Sequence, residues 1–117
     1  MHEASLAGGV LQLVEEVAQR EGFRRVLELR LEAGQLSGVD VRALRFALES
    51  LAPGTLLEGA QIHIDEPAGQ AWCLSCSQSV PLAQRGEACP VCGGYQLQPT
   101  GGMELRVVDL RVSDADA

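Results

Sequence analysis

Residues 67–102 read PAGQAWCLSCSQSVPLAQRGEACPVCGGYQLQPTGG, and inside them Cys73-Leu74-Ser75-Cys76 and Cys89-Pro90-Val91-Cys92 form two C-x-x-C knuckles separated by twelve residues. Two such knuckles supply the four thiolates of a tetrahedral zinc site, and a site whose positions are all filled by protein is structural rather than catalytic. Gly93-Gly94 allows a tight turn after the second pair, and Pro90 fixes φ inside it. The flanks, Pro67-Ala68-Gly69 and Pro99-Thr100-Gly101-Gly102, break regular structure on both sides. The stretch reads as an inserted zinc-ribbon module over residues 69–102. A dithiol redox centre or two disulfides would use the same cysteines. The first needs a low-pKa thiol beside a helix, and no helical pattern follows either knuckle; the second belongs to oxidising compartments.

The charge pattern marks the same boundaries. The chain has 117 residues, with 16 acidic against 9 basic ones, for a net charge of −7. Residues 1–68 carry 11 acids and 6 arginines, residues 69–102 only Arg85 and Glu87, and residues 103–117 4 acids and 2 arginines. Every base is an arginine. A segment with one base has no electrostatic footprint for phosphates, so nucleic acid is not an expected partner. No apolar run reaches the roughly 18–20 residues of a membrane span, and Met1-His2-Glu3-Ala4-Ser5 lacks the basic start of a signal peptide. A cytoplasmic protein with no membrane partner is expected, in which cysteines serve metal before disulfides.

Outside the insert the periodicities predict an α+β domain formed by residues 1–68 and 103–117. Leu6, Val10, Leu13, Val14 and Val17 recur at helical spacing, and Gly22 is placed to end a helix over 5–21. Gly8-Gly9 weakens its N-terminal end. Leu27, Leu29 and Leu31 alternate with charged residues, which predicts a strand with the leucines inward. A second helix fits 40–51, with Asp40 as N-cap and Val41, Leu44, Leu48 and Leu51 as its apolar stripe. Strands follow at 60–66 and 104–111; in the latter Val108 and Leu110 fall out of phase with Leu105 and Val107, which points to a bulge or two-sided burial. The expected architecture is a three-stranded β-sheet with two α-helices, the cysteine module replacing the turn of a hairpin between the second and third strands. The tail at 113–117 is expected to fray. His63 reads as a surface or partly buried histidine, and Trp72 as a ring packed over the first knuckle.

The first three residues hold a second metal-binding pattern. The terminal amine, the backbone nitrogens of residues 2 and 3, and the His2 ring can close adjacent chelate rings, and nitrogen-rich square-planar sets suit nickel(II) or copper(II) better than zinc. A solvated His2 that binds nothing fits the same residues. An amine of reference pKa about 7.7–8.0 and an imidazole near about 6.5 make such a site pH-dependent, since protons compete with the metal.

Met1-His2-Glu3, the alternating strand, Gly34-Gln35-Leu36-Ser37-Gly38-Val39 leading into the second helix, and Cys89-Pro90-Val91-Cys92-Gly93 together resemble the HypA/HybF family of hydrogenase nickel-incorporation proteins. The resemblance covers essentially the whole chain. It implies a nickel metallochaperone without catalysis of its own. It also implies nickel at His2 with the Met1 amine and Glu3 assisting, and structural zinc at Cys73, Cys76, Cys89 and Cys92. An acid at the start of the second helix is linked to the nickel site in some relatives, and Asp40 falls there, although an N-cap role explains it without metal. The implied partners are a GTPase nickel chaperone and the hydrogenase large subunit, with urease maturation proteins in some bacteria. A zinc-ribbon adaptor in transcription or translation is the alternative from the cysteines alone. No H-E-x-x-H or nucleophile motif supports a hydrolase.

Overall fold

The computed structural model describes residues 2–115. Their elements run α1 (Glu3–Glu21), β1 (Arg25–Ala33), α2 (Val41–Leu51), β2 (Gln61–Asp65), β3 (Gln70–Cys73), β4 (Gln78–Pro81), β5 (Leu97–Gly101) and β6 (Leu105–Ser113). The chain forms two compact units. The first takes in residues 1–31, 40–64 and 107–117, and the second residues 32–39 and 65–106.

In the first unit α1 ends at Gly22, which takes a left-handed conformation (φ 85°) and donates its N–H to the Ala18 carbonyl at 2.8 Å, the geometry that only glycine adopts without a Cβ penalty. The helix buries Ala7, Val10, Val14 and Ala18. This stripe is rotated from the expected one: two alanines take the inner positions, and Leu13 is left 45% exposed. Asp40 caps α2 as expected, its Oδ1 accepting the Ala43 N–H at 3.1 Å, and Leu44 and Leu48 fill the core.

Strands β2, β1 and β6 form one sheet in that order. The expected hairpin between the second and third outer-domain strands is therefore not formed, because β2 and β6 flank β1 on opposite sides. The central place goes to the strand that buries most, with Val26, Leu29, Leu31 and Ala33 all inward. The expected inward Leu27 is 40% exposed. Between Val26 and Leu29 the inward positions are three residues apart, so the alternation changes phase there.

Glu28 pairs with Arg111 and Glu32 with Arg106. Gly34 N–H bonds the Glu104 carbonyl at 3.0 Å and Arg24 N–H the Ser113 carbonyl at 3.1 Å, so the two strands run antiparallel. On β6 Val107 and Val108 are both half-buried, so burial loses strict alternation there, at the point where Val108 and Leu110 fall out of phase in the sequence. Glu28 also meets the His63 Nε2 at 2.9 Å, so one carboxylate links all three strands.

The second unit contains a sheet absent from the sequence reading, ordered β4-β3-β5 and antiparallel throughout. On β3, Ala71 and Cys73 point inward while Trp72 is 40% exposed. Trp72 therefore faces away from the thiol side of its strand instead of packing over the knuckle. Leu36, Ala71, Cys73, Val80, Leu82 and Cys89 form the core.

Leu36 reaches this core from far upstream in the sequence. Its segment is stitched in by Gln35 N–H to the Pro67 carbonyl at 2.9 Å and Leu36 N–H to the Gly102 carbonyl at 2.7 Å. At the crossing backbone meets backbone: a Cβ on Gly34 would run into the Gly102 carbonyl, and one on Gly69 into the Leu82 carbonyl.

The glycines divide by environment. Gly34→Ala must displace backbone and is expected to cost about 1–3 kcal/mol. Gly9→Ala, on a helix face with open space around it, is expected to stabilise by about 0.5–1 kcal/mol. Denaturant unfolding of both variants measures the opposite signs. The Arg111 guanidinium, with the His63 ring second, holds the Glu28 carboxyl below the usual range. A depressed carboxyl stabilises above its unfolded-state value near about 4.3 and loses that effect as pH falls through its folded-state value. Unfolding midpoints should therefore drop more steeply below pH about 4.3 in the wild type than in Glu28→Gln.

Candidate metal centres

Cys73 closes β3 and Cys76 lies in the turn leading to β4, while Cys89 and Cys92 occupy the loop before β5. The two knuckles fold alike. Ser77 N–H bonds the Cys73 carbonyl, Gly93 N–H bonds the Cys89 carbonyl, both at 2.8 Å, and each of these donors has a left-handed φ, 53° and 77°. Such turns aim backbone N–H groups at sulfur: Cys76 N–H at the Cys73 Sγ, Val91 N–H at the Cys89 Sγ and Gly94 N–H at the Cys92 Sγ, each 3.4 Å.

All four Sγ atoms lie within 4.8 Å of one another. The closest cross-knuckle pairs are Cys73 with Cys92 at 3.8 Å and Cys76 with Cys89 at 3.9 Å. A disulfide requires about 2.05 Å, whereas sulfurs at the corners of a tetrahedron with Zn–S bonds of about 2.3 Å stand about 3.8 Å apart. The residues therefore fit a tetrahedral thiolate-bound metal and exclude the disulfide alternative in this conformation. Ionisation in so small a volume is uneven. Hydrogen bonds from the Cys92 and Val91 backbone bring the Cys89 thiol down to about 7. Sharing with the Cys92 sulfur and burial push Cys76 up to about 12. Among the described residues this is the one group of three or more His, Cys, Asp or Glu side chains placed to hold an ion.

The N-terminal pattern is arranged differently. Met1 lies outside the described residues. His2 sits at the N-cap of α1, its carbonyl accepting the Leu6 N–H at 3.0 Å while its exposed side chain caps nothing. Glu3 is 5% exposed, and its Oε2 accepts the Asp40 backbone N–H at 3.0 Å. This bond brings the start of the chain to the start of α2, so Glu3 and Asp40, 37 residues apart, share one locality. The carboxylates do not converge as a ligand cluster: Glu3 is engaged with a backbone donor and Asp40 caps its own helix. Sequence reasoning treated Glu3 as an assisting residue and could not see its burial, because one acid in a first helical turn carries no long-range signal.

The family model described as hydrogenase/urease nickel incorporation, metallochaperone, hypA, matches residues 1–112. The chain belongs to the HypA family. The hydrogenase maturation factor HypA of Polaromonas naphthalenivorans is 68% identical over 114 residues, 97% of this chain and 99% of that protein. The HypA of Cupriavidus necator is 67% identical over 114 residues, 97% and 96% of the two chains. The solution structure of the Ni metallochaperone HypA from Helicobacter pylori superimposes with a TM-score of 0.70, covering 98% of this chain and 100% of that one at 24% identity, a likeness of fold. A second HypA solution structure gives 0.68 at 25% identity. The HypA family is one of nickel incorporation and hydrogenase maturation, and its members are metallochaperones. No helix among the described residues is long and apolar enough to cross a membrane.

Because the second unit's core counts two of the four thiols among its six buried residues, losing the metal should loosen the whole unit. Cys89→Ser is expected to abolish stoichiometric metal retention and amide protection across 65–106, read by hydrogen exchange. Reloading metal into stripped wild type should release protons, with affinity falling as pH drops through about 7 and Cys89 regains its own.

Proposed function

We propose that this chain carries nickel(II) at its N-terminus for hydrogenase maturation and holds one structural zinc(II) on Cys73, Cys76, Cys89 and Cys92. The observation that supports this most is the Glu3 to Asp40 bond, which tethers the start of α1 beside the α2 cap. The first N–H groups of an α-helix have no intrahelical carbonyl to bond. His2 and Glu3 occupy the N-cap and first position of α1, where their backbone nitrogens are the proposed nickel donors alongside the Met1 amine and the His2 ring. Glu3 assists through its backbone and by fixing this end of the chain. Asp40 assists by presenting the N–H that Glu3 grips.

Nickel would meet the positive end of the helix dipole there, which weakens a bound cation. That suits a cargo that must be released. Zinc in a closed thiolate cage has no open position for chemistry and maintains the fold of its unit. The reading divides the chain into a nickel-binding part, residues 1–68 with 103–117, and a zinc-binding part, residues 69–102. It places the protein in the cytoplasm, without enzymatic activity, with the hydrogenase large subunit and a GTPase nickel chaperone as partners.

Nickel titration of protein with its native N-terminus tests the reading. His2→Ala should lose nickel binding, and unchanged affinity would refute the site. Glu3→Gln keeps an oxygen for the Asp40 N–H and should stay within about threefold of wild type, whereas Glu3→Ala should bind about tenfold more weakly. Equal losses in the two Glu3 variants would instead make the carboxylate a ligand.

A further inference from the structure

The four cysteines share one cage but differ in exposure. Cys73 and Cys89 are buried, Cys76 is half-buried and Cys92 is exposed. Gly93 and Gly94 follow the exposed cysteine, so the chain next to it offers its sulfur no side-chain cover. A Cβ on Gly94 would stand 3.5 Å from the Cys92 Sγ and meet nothing else within 4 Å. Across the cage the Cys92 sulfur lies 3.8 Å from the buried Cys73 Sγ, and Cys76 and Cys89 make the second such pair at 3.9 Å. Oxidant-sensitive cysteines are accessible thiolates with a second thiol close enough to resolve what the first begins, and Cys92 and Cys73 meet both conditions.

We propose that Cys92 is an oxidation site, at which a hydroperoxide opens the metal cage and Cys73 closes the reaction with a reversible cross-knuckle disulfide. The Cys92 thiolate attacks one peroxide oxygen: an S–O bond forms, the O–O bond breaks and hydroxide leaves. The Cys73 thiolate then attacks the Cys92 sulfur, forming the S–S bond and expelling a second hydroxide. The two sulfurs together lose two electrons and the peroxide gains them. Two of the four thiolates are thereby withdrawn from the metal, which dissociates from the remaining pair. A second peroxide joins Cys76 to Cys89 by the same steps. A reducing thiol reverses both bonds, in keeping with the transient, redox-sensing disulfides of reducing compartments.

Pairing across the knuckles has a structural consequence. A bond from Cys73 to Cys92 ties the end of β3 to the loop before β5, and one from Cys76 to Cys89 ties the turn after β3 to that same loop. Bonds inside each C-x-x-C would close only a single turn and leave the two knuckles free of one another, whereas a cross-link over a longer loop constrains the chain more. The oxidised unit therefore keeps its sulfurs together after the metal has gone and can reload on reduction. The proposal rests on the reading of the four cysteines as a structural zinc site.

The zinc-loaded full chain is treated with hydrogen peroxide while a chromophoric chelator reports free zinc, and the disulfides are mapped by non-reducing peptide mass spectrometry. Zinc release should accompany the Cys73–Cys92 bond and be undone by dithiothreitol. Substoichiometric iodoacetamide should label Cys92 before the other three thiols. Gly94→Ala keeps every ligand and the N–H aimed at the Cys92 Sγ, and sets a methyl group against that sulfur. It should slow zinc release by about threefold or more, while Gly9→Ala in α1 leaves the rate unchanged. Labelling that starts at another thiol, disulfides confined to 73–76 and 89–92, or a Gly94→Ala rate equal to wild type would each overturn the proposal. Elemental analysis before oxidation judges the zinc reading separately, since labelling order and disulfide map are read from peptide masses whatever ion the cage holds.

Discussion

Four sulfurs within 4.8 Å of one another cannot all ionise without a cation among them, and the second unit is built around that constraint. Its other buried side chains, Leu36, Val80, Leu82 and Ala71, make too small a core to order some fifty residues alone, so a metal supplies the cohesion that apolar area supplies elsewhere. Strands β3 to β5, the paired knuckle turns and the backbone crossing at Gly34 and Gly102 all position sulfur or are held in place by it. The N–H groups aimed at three of the sulfurs spread the anionic charge that the metal alone does not neutralise.

The two metal patterns differ in kind, and the difference follows from where their donors come from. Thiolates projecting from two rigid turns form a closed cage that retains its ion. In the proposed nickel site the donors at the end of a helix are backbone nitrogens and one exposed imidazole, beside the bond of Glu3 to Asp40. The proposed carrier role uses that contrast, because the ion that shapes the protein must stay while the ion it delivers must leave.

Local patterns were legible in the sequence where the chemistry itself is local. The C-x-x-C spacing, the Gly22 stop and the Asp40 cap depend on residues a few positions apart, and the structure places each as read. Order among strands was not legible: which of three strands takes the centre depends on summed burial, and β1 wins through Val26, Leu29, Leu31 and Ala33. Leu27 misled because strict alternation assumes an unbroken pleat. The burial of Glu3 and the core role of Leu36 escaped notice for a shared reason, since each acts through a partner more than thirty positions away, Asp40 for one and the crossing at Gly102 for the other.

Both units are discontinuous along the chain, and this sets an order for synthesis. Segment 32–39 leaves the ribosome long before the residues it packs with at 65–106, and β1 precedes β6 by some seventy positions, α1 by more than eighty. The link between Glu3 and Asp40 needs only the first two helices, so the N-terminal locality can assemble on a nascent chain. The sulfur cage and the sheet edge wait for the last third of the protein. A polypeptide truncated after β2 would thus carry the linked helix starts without the residues that complete either unit, so neither unit can close until synthesis reaches the last strand.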